Sequence, residues 1–206
     1  MDKQKTKHNT EQQILEAART VFIRKGLEGA RMQEIANEAG INKALLHYYF
    51  RSKERLFDHI FENALAGVFE VINENIHEEG DVFGFIETFV DHYLTLLKEN
   101  PFIPNFIFNE ISSHPERIDK LSKKIKINIP GFIRMMERNI AQKKIIPVSP
   151  EHLIIDLLGM CMFPYVARPL LEEVFFSEHP AGAENFLCER KQHIIAFFKK
   201  ALKPNN

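Results

Sequence analysis

Only two cysteines occur in the 206 residues, Cys161 and Cys188. Neither has a second cysteine or a histidine at metal-ligand spacing, so a zinc site or a disulfide framework is excluded. Both fall in apolar helical patterns and read as buried, reduced thiols. No apolar run approaches the ~20 residues that a membrane-spanning helix needs. The first residues carry Lys3, Lys5 and Lys7 with no apolar segment behind them, which is no signal peptide. Catalytic signatures are missing as well. There is no Gly-x-Ser-x-Gly, no phosphate-binding glycine loop and no His-Glu-x-x-His. The nine histidines are scattered, and none has another three or four residues away. No cofactor and no metal is expected, and the compartment expected is the cytoplasm.

What is present is an ordinary soluble composition, 45% hydrophobic and 27% charged. The net charge of -1 conceals a gradient. Residues 1–60 hold eleven Lys/Arg against eight Asp/Glu, or +3, and the rest sixteen against twenty, or -4. A basic end on an acidic body fits a protein that offers one end to phosphate. Residues 1–9 read as a polar arm. Thr10-Glu-Gln-Gln13 has the spacing of a capping box and predicts the start of a first helix that Gly26 stops. Beyond residue 52 the periodicity predicts a long helix from about Lys53 to His77. Five more follow, at Phe83–Glu99, Ile103–Ser112, Ile118–Lys143, Glu151–Phe175 and Ala183–Leu202. Pro130 interrupts the third of these five and is expected to split or kink it. The fold class is all-α.

The stretch from Gln33 to Phe50 organises the rest. Ile35, Ala36 and Ala39 lie on one helical face, and Gly40 then allows the left-handed turn that other residues resist. Asn42 is a good N-cap for a second short helix from about Lys43 to Phe50. Two short helices joined by a tight glycine turn are the helix-turn-helix signature. On the second helix Leu46 and Phe50 point inward, Ala44 and Tyr48 point away, and Leu45 and His47 take the flanks. Such an outward face suits a DNA major groove, and it equally describes a solvated helical hairpin.

Thr10 to Lys53 as a whole resembles the N-terminal DNA-binding domain of the TetR family of transcriptional regulators. The matching residues are Ile14-Leu-Glu-Ala-Ala, Phe22, Gly26, Ile35-Ala36, Ala39-Gly-Ile, Leu46, Tyr48-Tyr-Phe50 and Ser52-Lys-Glu, and Leu56-Phe57 continues the match. The resemblance implies a DNA-binding domain over residues 1–52 and a helical effector-binding and dimerisation domain over 53–206. It implies that Lys43, Ala44, Leu45, His47 and Tyr48 approach bases, while Tyr49, Lys53 and Arg31 reach phosphates. Two positions depart from the family's habit. Arg31 stands where Thr or Ser caps the second helix, and Leu45 where Thr or Ser reads bases.

Thirteen of the eighteen phenylalanines lie after residue 82. With the resemblance they point to an apolar effector pocket, for which Phe106, Met135, Met160 and Phe163 are wall candidates. His92, Tyr93, Asn109 and Tyr165 are its polar candidates, and Leu65 and Phe69 the contacts from the long helix. Pro164 frees the carbonyl of Met160, a candidate acceptor for a ligand. A small hydrophobic or amphipathic effector is expected. The last two long helices are apolar beyond one stripe. The resemblance makes their second side a homodimer interface, with Leu157, Phe186, Ile194, Ile195 and Phe198 as candidates. The reading is therefore a ligand-responsive repressor that binds a palindromic operator as a homodimer, with no enzymatic activity. Two alternatives stay open: a helical small-molecule-binding or catalytic protein that has lost DNA binding, and a DNA-binding regulator without an effector.

Overall fold

The structure is a computed structural model and describes residues 2–114, 127–178 and 181–204. Among the described residues there are ten helices and no strands. They are α1 (Asp2–Gly29), α2 (Met32–Glu38), α3 (Lys43–Tyr49), α4 (Lys53–Glu74), α5 (Val82–Glu99), α6 (Ile103–Ser113), α7 (Ile129–Ala141), α8 (Pro150–Val166), α9 (Arg168–Phe175) and α10 (Ala181–Leu202). None of these is long and apolar enough to cross a membrane alone. Packing divides the chain into two compact units, residues 1–65 and 66–206. The second predicted domain starts where α4 starts, at Lys53. By packing, the residues of α4 up to Leu65 group with the first three helices.

The first unit has a core of Ile14, Ala18, Val21, Phe22, Ile35, Ala36, Leu46, Leu56 and Phe57, all nearly inaccessible. Phe22 and Phe57 meet edge to face at 5.0 Å, and Phe57 stacks on Phe61. Thr10 is not an N-cap, because α1 already runs from Asp2. Residues 2–9 contain no glycine or proline to stop a helix, and Lys and Gln favour one. Gln13 leaves the predicted box to donate from Nε2 to the Ala39 carbonyl at 2.8 Å, which ties α1 to the turn after α2. Gly26 does interrupt α1: its φ of +67° and ψ of -179° break the helical path.

In the second unit α5 packs against α7, α8 and α10, and α8 also touches α6 and α9. The stripe Val82, Phe85, Ile86, Phe89, Val90, Tyr93 and Leu97 fills the buried side of α5. Its rings continue into α7, with Phe85 and Phe132 at 5.2 Å. The turn before α5 is held by Asn139 of α7, which is wholly buried. Asn139 donates to the Gly80 carbonyl at 3.0 Å and its Oδ1 accepts from Val82 N–H at 3.4 Å. Arg138 donates to the same Gly80 carbonyl at 2.6 Å.

Three expectations change here. The predicted helix over 118–143 is described only as α7, starting at Ile129 with Pro130 in its first turn and Asn128 as N-cap. Its earlier part lies mostly outside the described residues. The predicted helix over 151–175 is two helices, α8 and α9, whose axes make an angle of 70°. The break falls at Ala167, because Pro169 cannot donate to the carbonyl four residues back and its ring crowds that carbonyl. Lastly, only one thiol is buried: Cys161 is inside and Cys188 is exposed.

Candidate nucleic-acid interface

Gly40 closes α2 at φ +63°, with its N–H on the Asn37 carbonyl at 3.1 Å and the Ile41 N–H on Ala36 at 3.0 Å. Asn42 then caps α3: its Oδ1 accepts from the Leu45 N–H at 2.8 Å. This pair of caps fixes the direction in which α3 leaves the turn. Leu46 is fully buried and Phe50 nearly so, and they anchor α3 on the unit's core. The opposite side is therefore forced outward. Lys43 and Ala44 are exposed, Leu45 is 37% exposed and Tyr48 is 71% exposed. A ring left so far in water has lost most of the free energy its burial would give, roughly 2 kcal/mol. Tyr49 lies beside it, edge on at 5.5 Å, and is half-buried. His47 is half-buried on the flank, with Nδ1 3.2 Å from the Arg51 carbonyl oxygen.

Arg31 is exposed at the N-cap of α2, and its side chain makes no cap bond, as its chemistry dictates. Its carbonyl takes the Glu34 and Ile35 N–H groups instead. Glu34 pairs with Lys25 at 2.6 Å, and this bond holds its carboxyl below the usual carboxylate range. Lys53 has a second occupation that sequence reasoning missed. Its Nζ donates to the carbonyls of Leu27 at 2.9 Å and Glu28 at 3.3 Å, and so closes the end of α1 beyond the Gly26 break. An ammonium group has three donors, so one N–H remains for a phosphate. The signal available was the glycine break itself, which leaves carbonyls in need of a donor. Lys53→Met is expected to lower the stability of this unit by about 1 kcal/mol. It should also reduce the salt slope of DNA binding by about one unit. A urea melt and a salt titration measure the two effects separately.

The candidates in the second unit differ in exposure. Tyr93, Phe106, Met135 and Tyr165 are buried, Met160 is half-buried, and His92, Asn109 and Phe163 are exposed. Leu65 and Phe69, on α4, are buried and half-buried. His92 meets the buried Asn75, Nδ2 to Nδ1 at 3.3 Å. Burial raises the phenols of Tyr93 and Tyr165 and pushes the Cys161 thiol up to about 12. The Met160 carbonyl freed by Pro164 is already taken: Arg190 Nη2 of α10 donates to it at 2.8 Å. An open notch lies elsewhere, among Pro164, Leu171, Phe176, Phe186 and Leu187, with about 200 Å³ of empty space including open solvent.

Of the interface candidates, Leu157, Ile194 and Phe198 are buried within the chain, because α8 and α10 turn those stripes toward α5 and toward each other. Phe186 and Ile195 are half-buried. Among the described residues of α8 and α10, the large apolar groups left outside are Ile155 at 64%, Phe163 at 59% and Phe197 at 51%.

A capped, outward-facing helix on a three-helix scaffold defines a helix-turn-helix DNA-binding protein. The family model "Bacterial regulatory proteins, tetR family" matches residues 14–60. The regulator YfiR of Bacillus subtilis is 28% identical over 148 residues, 70% of this chain and 72% of its own. The regulator RutR of Escherichia coli is 25% identical over 186 residues, 85% of this chain and 87% of its own. A TetR-family regulator from Haemophilus influenzae, 18% identical, shares the fold with a TM-score of 0.65 over 97% of this chain and 99% of its own. Residues 14–60 thus carry the DNA-binding domain of the TetR family of bacterial regulatory proteins, and the rest of the chain is similar to regulators that carry it.

Proposed function

We propose that the protein is an effector-responsive repressor that binds a palindromic operator as a homodimer. The observation that carries the DNA contact is the exposed face of α3, above all Tyr48. Lys43, Ala44, Leu45, His47 and Tyr48 take the base edges, while Arg31, Tyr49 and Lys53 take phosphates. Phosphate contacts set the register and base contacts select the sequence. Tyr48→Ala is therefore expected to cost the specific site about 1–3 kcal/mol and to leave binding to random DNA nearly unchanged. A competition titration at fixed salt measures this. Equal losses on both DNAs would remove Tyr48 from the reading surface.

The effector part rests on the apolar interior of the second unit, where Met135, Met136, Phe85, Phe89, Tyr93 and Phe132 are all buried. The effector is a small hydrophobic or amphipathic molecule that favours a state with weaker operator binding. Coupling is reciprocal, so operator DNA must weaken effector binding by the same factor. Thermal-shift screening with apolar compounds finds candidates, and calorimetry with and without operator tests the equality. A set of stabilising compounds that leave operator affinity untouched would favour a regulator without an effector.

A further inference from the structure

The hydrogen bond at His47 determines what the recognition helix can read at that position. A carbonyl oxygen carries lone pairs and no proton. The contact between His47 Nδ1 and the Arg51 carbonyl, at 3.2 Å, therefore requires the proton to sit on Nδ1. Nε2 of the neutral ring is then a bare acceptor. Nε2 has no hydrogen-bond partner among the described residues, and it is not among their buried unpaired atoms. The ring is braced at one nitrogen and open at the other.

We infer that His47 is a specificity-determining residue that recognises an exocyclic amino group in the major groove, the N6 of adenine or the N4 of cytosine. Those are the only hydrogen-bond donors that the bases present there. Guanine O6 and N7 and thymine O4 are acceptors, and against Nε2 they would set lone pair against lone pair. The bond to Arg51 gives this selectivity, because an imidazole free to change tautomer could also donate. Lys43 and Arg51 lie four residues before and after His47, and both supply donors only. His47 is thus the one side chain in this row that can accept from a base. A histidine with a single acceptor does not separate adenine from cytosine, so the expected signature is a position that accepts either base and rejects guanine and thymine.

The inference rests on the DNA-binding reading, and its test separates the two. Sequences are selected from random duplex DNA with the wild-type protein, and each base of the selected site is then varied. One symmetry-related pair of positions is expected to prefer adenine or cytosine. Replacing that base by an analogue without its amino group, purine for adenine or 2-pyrimidinone for cytosine, should weaken wild-type binding roughly tenfold. The same replacement should leave His47→Ala unaffected, because the acceptor is gone. His47→Arg, a pure donor, should move the preference to guanine. Wild-type indifference to the analogue at every position, with salt-dependent binding intact, overturns the inference and leaves the DNA reading standing. A guanine or thymine preference paired with His47 overturns it too. Failure of the wild-type protein to retain any DNA overturns both. The analogue arm uses only unaltered protein, so it does not depend on how the variants fold.

Discussion

Replacing Ile155 and Phe197 together by aspartate is expected to turn a dimer into a monomer at micromolar concentration, as read by sedimentation. The two groups are 64% and 51% exposed on α8 and α10, and Phe163 adds a third apolar group on α8. Central apolar groups in an interface cost about 2 kcal/mol or more each on truncation, and a buried unpaired carboxylate costs further. The monomer should keep its helical signal, because neither residue belongs to the chain's own core. Binding to a palindromic site should fall by orders of magnitude, since each half-site offers half the contacts. Phe198→Asp would give a different result. Phe198 is 3% exposed, so a charge there unfolds the second unit rather than dividing a pair. A double variant that still sediments as a dimer would place the interface elsewhere.

Phe57→Ala is expected to abolish DNA binding although Phe57 is on no recognition surface. The ring is 2% exposed, lies against Phe22 at 5.0 Å and stacks on Phe61. Emptying such a site costs about 3–5 kcal/mol, which is a large share of the stability of a unit this small. The loss should appear as a lower melting temperature and as proteolytic cleavage within residues 1–65. Leu or Met at the same place keeps most of the volume and should restore most of the binding. Wild-type DNA affinity in the alanine variant would mean that the recognition helix does not depend on this core.

The recognition motif was legible in the sequence because its signals are local. Gly40 and Asn42 do their work within four residues of their own position, Leu46 and Phe50 share one face by helical period, and the structure puts all four where the pattern places them. The signals that were misread depend on groups far along the chain. Lys53 meets carbonyls twenty-five and twenty-six residues away, and Gln13 reaches Ala39 across twenty-six. Periodicity could not tell that Ile194 and Phe198 face inward while Phe197 faces out, because a helix with apolar groups on two sides does not say which side its own chain covers. The break at Ala167 is carried by Pro169, in the first turn of α9, and not by Pro164. Pro164 sits near the end of α8, which runs only two residues further.

The bond from Arg190 to the carbonyl that Pro164 sets free makes α8 and α10 a ratchet with one tooth. Ordinary helix pairs can slip by a turn, exchanging one set of apolar contacts for the next. Here a slip of one turn, about 5.4 Å, leaves the carbonyl without its donor and takes the half-buried guanidinium away from its acceptor. Translation of α10 along α8 therefore loses this bond, whereas rotation about the shared contact keeps it.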